Sequence, residues 1–569
     1  MINVLFYHAN NPEGGENNRF YLNTAALYLK TYLDAHHPEE AEQVNWLLPK
    51  QEYLDDDQLI KLCNDNDVTL LCTSHYIWSH DLLIPQLERI KNKIDAKIIS
   101  GGPSISVHVE ENFFKKYPFI DYAIYGAGEK AFANIIVSMV ADKKIVVFNS
   151  SNLAYYDKEK EKSVIAKFEY VPVLNTSPYV SNREMFTQMV KYGQDLGYDV
   201  AVPFALTRGC PYACTFCDWN AGLSNKVSRT KSRYEEDIDL FAELKIKTLY
   251  LADANIGQYD DDINMIAYMA KKNIDGEAEF QVEGNLSKLK KKNNLKIYHL
   301  MAQGKLINKY GFIFSVQDIN QEVLKNIDRP DVSWDVHKEM IHELFDHYPN
   351  FVPKLQLIQG LPGQTVESWR ATLKTIAQER VIAYIFINEV LPTSPAAMDP
   401  TYQEKYQYVY SHAERFTERK SGNNFYRGTI PQSCFSFTQK EFVQMILLSQ
   451  IYLLTMAIRS IFEDYKNINT ELIVDKILAT DNYTALADNL YTNWVKNDKF
   501  YYTINFNGED QLIPGDSMAE HISHWLWSKD LQKILLSSIS SPELQKKMFH
   551  FFTSTERMKE LKYLMDHYY

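Results

Sequence analysis

Two periods alternate along the first quarter of the chain. Short continuous apolar runs occur at Asn3–Tyr7, Val68–Thr73, Ala96–Ser100 and Asp121–Tyr125. Between them, Tyr21–Ala35, Leu82–Ile94 and Lys130–Val140 carry apolar residues at helical spacing. Unbroken apolar strands separated by helices predict a parallel sheet covered on both faces. Residues 1–145 therefore read as a doubly wound α/β domain. Ligands of such folds sit beyond the carboxyl ends of the strands, which here gathers the loops Asn10–Asn18, Ser74–Ser79, Gly101–Ser106 and Gly126–Glu129. Residues 146–199, with the charged stretch Asp157–Ser163 and the turn formers Pro172, Asn175 and Pro178, read as a connector.

The strand-then-loop pattern resumes at Val202–Thr207, Thr248–Gly257, Ala278–Glu283, Phe312–Asp318, Leu355–Thr365 and Ile387–Pro395. Residues 200–400 thus predict a second α/β unit, a partial (β/α) barrel with its working face at the carboxyl rim. After residue 400 the pattern becomes helical, at Glu441–Phe462, Thr470–Leu478, Met518–Ser537 and Pro542–Tyr568. Residues 401–569 read as a mainly helical domain capping the barrel mouth.

The chemistry concentrates at the end of the first barrel strand. Cys210, Cys214 and Cys217 stand in a C-x3-C-x2-C spacing within Arg208-Gly-Cys-Pro-Tyr-Ala-Cys-Thr-Phe-Cys-Asp-Trp-Asn220. A zinc site would want a fourth ligand or a second C-x2-C pair, and none follows. Six cysteines in 569 residues, three of them within eight positions, do not make a disulfide framework. A [4Fe–4S] cluster fits: three thiolates leave one iron open for a further ligand.

This segment resembles the signature of the radical S-adenosylmethionine (SAM) superfamily, in which SAM occupies the open iron and is cleaved to a deoxyadenosyl radical. The resemblance extends along the core. Thr248–Gly257 is similar to the loop that meets the SAM amino group, which implies Asp253 and Asn255. Glu283 is then a candidate for the ribose hydroxyls. Phe312–Asp318 with Val323–Arg329 resembles a segment of cobalamin-type members and implies Gln317; Asp318 stands where Ser is commoner. Leu355–Thr365 resembles a G-L-P-G-E-T segment near the adenine, implying Gly360, with Gln364 in place of Glu. Trp219 is a candidate shield or SAM contact beside Cys217.

Residues 1–145, through Ser100–Ser104 and Ile120–Glu129, look like the cobalamin-binding domain that precedes many such cores. The D-x-H-x-x-G loop of some cobalamin proteins is absent. The domain therefore either binds cobalamin without that loop or keeps the fold alone. His8, His75, His80 and His108 read as polar loop residues rather than cobalt ligands.

Cys434 is the one cysteine beyond the cluster motif. It reads either as a packed thiol or as a hydrogen-atom donor, because an S–H bond is weaker than most C–H bonds. The second reading resembles proteusin-type peptide epimerases, which convert L- to D-residues in ribosomal peptides. That is the leading expectation for the reaction, with cobalamin-dependent methylation of an unactivated carbon as the alternative. The expected cofactors are a [4Fe–4S] cluster, SAM and, on the second reading, cobalamin. The expected partners are a peptide or small-molecule substrate and an electron donor such as flavodoxin or ferredoxin. The net charge of −13 argues against nucleic acid. No run nears the ~18 apolar residues of a membrane span. The start of the chain lacks a signal-peptide pattern, so a reducing cytoplasm is expected.

Overall fold

The computed structural model describes residues 1–10, 19–76, 79–106, 112–141, 151–219, 225–230, 233–286, 291–307, 313–349, 353–379, 381–391, 393–417, 424–461, 469–497, 501–506 and 509–514, with a few positions between 533 and 546. The helices expected at Met518–Ser537 and Pro542–Tyr568 lie almost entirely outside these residues, as do His108 and most of the Asn10–Asn18 loop.

The N-terminal strands are β1 (Ile2–Asn10), β2 (Arg19–Tyr21), β3 (Val44–Trp46), β4 (Lys50–Glu52), β5 (Leu70–Ser74), β6 (Lys97–Gly101), β7 (Tyr122–Ile124), β8 (Leu153–Asp157) and β9 (Lys162–Ile165). The order β3-β1-β5-β6-β7 is parallel throughout, and β8 and β9 add antiparallel at the β7 edge. Both faces are buried. Leu5, Leu71, Ile98 and Ala123 lie in one core, and Val4, Phe6, Leu70 and Ile99 in the other, so the apolar runs need no alternation. Part of the expected connector is therefore sheet. Its charged run is the tip of the β8–β9 hairpin, where solvated residues belong.

The barrel strands are β10 (Asp199–Phe204), β11 (Thr207–Arg208), β12 (Ser228–Arg229), β13 (Thr248–Ile256), β14 (Gln281–Leu286), β15 (Ile313–Gln317), β16 (Lys354–Gln359) and β17 (Ile382–Ile387). Apart from the antiparallel pair β11–β12, they form two parallel sheets, β14-β13-β10-β2 and β15-β16-β17, with β14 against β15. The result is an open barrel whose first edge is closed by β2, a strand that leaves the N-terminal sheet to pair with β10.

The last third differs from a helical cap. It opens with an antiparallel hairpin of β18 (Val409–Thr417) and β19 (Asn424–Ser433) and holds a second, β20 (Tyr501–Phe506) with β21 (Glu509–Pro514). Helix Gln439–Ile461 packs on helix Val366–Ala377 and on β17, outside the barrel rather than over its mouth. It covers apolar positions such as Ala383, and Ser449 at its centre accepts from Trp369 Nε1 (2.9 Å) and donates to Gln359 Oε1 (2.6 Å). The periodicity identified the helix but not which layer it joins.

Among the described residues no helix is long and apolar enough to cross a membrane.

Candidate active site

The cysteine loop is fixed at both ends by backbone. Leu206, just past β10, donates its N–H to Asp253 Oδ2 (3.0 Å), and the short β11–β12 ladder clamps Thr207–Arg208 against Ser228–Arg229. Gly209 follows at φ +89°, and a Cβ there would sit 2.1 Å from the Lys226 carbonyl oxygen, so no other residue fits. Cys217 N–H donates to the Cys214 carbonyl (3.1 Å), folding the loop back on itself. Thr215 is gripped from three sides. Its N–H donates to Ile327 O (3.3 Å), its carbonyl accepts from Ala396 N–H (2.8 Å), and its hydroxyl bonds Tyr402 Oη (2.9 Å).

Two sulfurs of this loop have an N–H donor: Asn255 Nδ2 donates to Cys210 Sγ (3.2 Å) and Trp219 N–H to Cys217 Sγ (3.5 Å). The buried Arg329 guanidinium stands over the Phe216 ring of the loop, 5.9 Å from its centre. N–H donors at sulfur are what a thiolate needs. Burial, opposed by the Trp219 N–H, pushes the free Cys217 thiol up to about 11, so the loop favours thiolates only when a cation compensates them. Among the described residues no three His, Cys, Asp or Glu side chains converge as a cage for a single ion. The donor set fits a [4Fe–4S] cluster.

The other expected residues separate. Asp253 is buried. One oxygen is held by Leu206 N–H while the other, Oδ1, is buried without a partner, and burial pushes its pKa up to about 6. Asn255 stands two residues on, turned to Cys210 rather than open to a ligand. Glu283 does not stand free either: it is ion-paired with the buried Arg19 on β2, and Tyr21 Oη donates to it (3.3 Å). The side chain expected at the ribose is thus part of the joint that binds β2 into the barrel. Gln317 ends β15 at φ +70° beside a register shift, a conformation a side chain adopts only under constraint. Gly360 also has positive φ (+89°), and a Cβ there would strike Phe442 (2.8 Å). Trp219 is 40% exposed beside the loop.

The two departures from the family pattern touch. Gln364 Oε1 accepts from Gly360 N–H (2.7 Å) and Leu361 N–H (2.9 Å), and its Nε2 donates to Asp318 Oδ2 (2.6 Å). A Ser–Glu pair would place the donor on the Ser; here it is on the Gln. The pair keeps its hydrogen bond with the polarity reversed.

A second edge faces this loop. At the carboxyl end of the N-terminal sheet, Gly102 (φ +96°) lies so close to His75 that a Cβ would meet its carbonyl at 2.6 Å. His75 is fully buried. Its Nε2 bonds Thr73 Oγ1 (2.9 Å), while its Nδ1 has no partner. His8 is buried with neither nitrogen bonded, and burial drives its pKa down to about 3. Uncharged imidazoles around glycine turns suit a large neutral-faced ligand, and in this respect the residues present fit a corrin. From the same edge, Glu129 receives Arg208 Nη2 (2.5 Å) in an ion pair whose carboxylate is 3% exposed. Arg208 also donates to Val171 O (3.2 Å) and stands two residues before Cys210. The glycine loop of the first domain is thereby tied to the cysteine loop of the second.

Cys434 lies in different surroundings. It is buried in the apolar core under the barrel's second half, closes a tight turn with Phe437, and bonds Ser436 Oγ (3.2 Å). Ser436 in turn accepts from Gly363 N–H (2.9 Å). Burial raises the pKa of the Cys434 thiol.

Sequence reasoning quoted Arg208, Glu129 and Arg329 inside motifs without giving them roles. A basic residue two before the first cysteine, and another just after a short helix, were the available signals.

An open parallel barrel with a three-cysteine loop at its carboxyl rim is the architecture of an iron–sulfur enzyme that leaves one iron free. Residues 204–376 match the model of the Radical SAM superfamily, and the chain carries a radical SAM domain, the class that uses a [4Fe–4S] cluster and SAM. It is similar to the cobalamin-dependent radical SAM methyltransferase TokK of Streptomyces tokunonensis, 24% identical over 57% of this chain and 47% of that protein. It is also similar to a 2-(S-pantetheinyl)-carbapenam-3-carboxylate methyltransferase of Streptantibioticus cattleyicolor, 24% identical over 58% and 48%. The chain spans about half the length of these curated relatives. In fold it resembles the cobalamin-dependent SAM radical enzyme OxsB with aqua-cobalamin and SAM bound (TM-score 0.56, 14% identity, 100% of this chain and 80% of that one). It also resembles the radical SAM methyltransferase TsrM of Kitasatospora setae with cobalamin and a [4Fe–4S] cluster bound (0.53, 12%, 72% and 77%).

Proposed function

We propose that the protein is a cobalamin-dependent radical SAM methyltransferase acting on an unactivated carbon, the reading first held as the alternative. The observation that carries it is the Glu129–Arg208 tie between two ligand edges. The tie sets the glycine loop of the first domain beside the cluster loop, so a cobalamin held at that edge would stand next to the SAM site. The methyltransferase names of the curated relatives support the same direction, and none of the relatives reported above is an epimerase. Cys210, Cys214 and Cys217 would hold the cluster, and Gly101–Ser104, His75 and Gly126–Glu129 would face cobalamin. Held there, the cluster would supply the electron for reductive cleavage of SAM and cobalamin the methyl group. The chain's own work is to hold both edges in register and keep the loop in place through Thr215 and the half-buried Tyr402.

The test is anaerobic expression with cobalamin supplied, desalting, and iron and cobalt analysis with a visible spectrum. Cobalt near one per chain, with both 5′-deoxyadenosine and S-adenosylhomocysteine formed on turnover, supports methyl transfer. About four irons without cobalt overturns it and returns epimerisation through Cys434 to the lead. The substrate, expected to be a peptide or small molecule, and a low-potential electron donor complete the proposal; protein in the reducing cytoplasm suits an oxygen-labile cluster.

A further inference from the structure

We propose that Asn255 is a positioning residue for the cluster rather than a SAM contact: its side-chain amide holds the Cys210 sulfur and raises the reduction potential of the iron–sulfur centre. This rests on the cysteine loop carrying the cluster, which loss of iron in Cys210→Ala tests separately.

The ladder between β13 and β14 pairs Leu251 with Gly284 and next Ile256 with Leu286, so Ala252–Asn255 stand opposite the single residue Asn285. Surplus residues in one strand lift it off its partner and re-aim its side chains. The arch made in this way runs alongside the cysteine segment and meets it three times in order. Asp253 Oδ2 accepts from Leu206 N–H (3.0 Å), Asn255 Nδ2 donates to Cys210 Sγ (3.2 Å), and Gln258 Oε1 accepts from Tyr212 Oη (3.4 Å). Between the last two contacts the chain turns at Gly257 (φ +88°), whose N–H donates to the buried Asp262 Oδ2 (2.8 Å). The amide is thus delivered to the sulfur by backbone that is fixed on both sides of it.

An Asn side chain offers a donor at Nδ2 and an acceptor at Oδ1, and a thiolate takes only the donor. Here it is Nδ2 that meets the sulfur. The Trp219 N–H at Cys217 is a backbone group, which any residue but proline would supply. The donor at Cys210 depends on the side chain at position 255.

Reduction adds negative charge to a centre held by thiolates, and a hydrogen bond strengthens as its acceptor gains charge. Hydrogen bonds to the sulfurs are among the features that set the potentials of iron–sulfur centres. The Asn255 amide therefore stabilises the reduced form more than the oxidised one. A low-potential one-electron donor then reduces the centre more readily.

The experiment is an EPR-monitored redox titration of anaerobically reconstituted full-length protein at neutral pH. It compares wild type, Asn255→Asp, Asn255→Ala and Tyr212→Phe, with iron content measured on each. Aspartate keeps the shape and exchanges the N–H for a carboxylate oxygen. Expected in Asn255→Asp is about a tenfold fall in the reduced-to-oxidised ratio at fixed potential, a one-electron midpoint lowered by about 59 mV. Asn255→Ala should move the same way by less, since water can take the place of the amide at the sulfur. Tyr212→Phe removes the neighbouring contact without touching a sulfur and should keep the wild-type midpoint. If Asn255→Asp fails to retain iron, a lowered midpoint in Asn255→Ala supports the proposal. Loss of iron from both overturns the claim on the potential, because the amide would then be needed for assembly itself. Wild-type midpoints in both overturn it too, as does a Tyr212→Phe midpoint that falls as far, since the arch and not the donor would be the agent. Weakened SAM binding with an unchanged midpoint, read from the SAM-induced change in the EPR spectrum, would return Asn255 to the SAM amino group. None of these readouts depends on cobalamin or methyl transfer.

Discussion

The two cysteine-bearing turns of this protein teach by contrast. In the loop of residues 210–217 the sulfurs of Cys210 and Cys217 meet N–H donors, and Thr215 is held by the backbone of two other segments and by the Tyr402 hydroxyl. In the turn at Cys434 a single sulfur meets the Ser436 hydroxyl, the backbone N–H groups of Ser436, Phe437 and Gly363, and apolar side chains. Burial raises the thiol pKa in both places, so what separates them is number: three sulfurs converge from one loop, and one stands alone. Spacing in the sequence marked the first, and the surroundings explain it.

The largest test of that contrast is to remove the sulfurs. Alanine at Cys210, Cys214 or Cys217 should abolish four-iron binding and 5′-deoxyadenosine formation, while far-UV circular dichroism stays unchanged. Any of the three keeping a full iron complement and cleaving SAM would break the assignment. Removing the tether outside the loop should come next in size. Glu129→Gln leaves the Arg208 guanidinium without its buried carboxylate, which costs about 3–5 kcal/mol in an urea titration. The double variant with Arg208→Met should cost less than the sum of the singles. Strict additivity would show that the two groups do not couple.

Much of this was legible in the sequence. Strands buried on both faces announce themselves as continuous apolar runs, so β1, β5, β6, β13, β15 and β16 fell where periodicity placed them, whereas β14 (Gln281–Leu286) lies three residues later than expected and β17 (Ile382–Ile387) ends where the expected Ile387–Pro395 begins. The rest was hidden for physical reasons. The strand β2 has three residues and no pattern of its own; only its pairing with β10 makes it a strand. The β8–β9 hairpin is an edge and tolerates charge. Helix Gln439–Ile461 was visible, but that it packs on helix Val366–Ala377 and β17 depends on tertiary contacts no single segment encodes. In the site, a residue type predicts capacity rather than employment. Glu283 can accept from a ribose, yet Arg19 reaches it first. Arg329 was visible only as a motif letter, because its burial beside Phe216 of the cysteine loop is a product of the fold.

A medium effect tests the turn beside Cys434 through its neighbour, Gln364. Gln364→Glu would set two carboxylates at hydrogen-bond distance in a buried site, with Asp318 already accepting from Ile319 and Asn320 N–H. The loss should be about 3 kcal/mol or more. Adding Asp318→Ser restores a donor facing the new carboxylate and should recover most of it. Melting temperatures of the two singles and the double decide the matter: a double no better than Gln364→Glu alone would show that the two departures arose independently.

The smallest effect is expected at Cys434. Alanine there removes one buried sulfur and its bond to Ser436, a cost of about 1–2 kcal/mol in stability. If the thiol only packs, SAM cleavage per product formed should match wild type. If it donates a hydrogen atom, Cys434→Ala would still make 5′-deoxyadenosine but lose product, because abstraction precedes quenching and does not need the thiol. Serine sharpens the result. It keeps the polar contact with Ser436, so it should regain part of the stability of the wild type, but its O–H bond is too strong to quench a carbon radical. A Ser variant that is stable yet uncoupled would assign Cys434 to the chemistry. A Ser variant that is stable and coupled would leave the two turns as different in function as they are in environment.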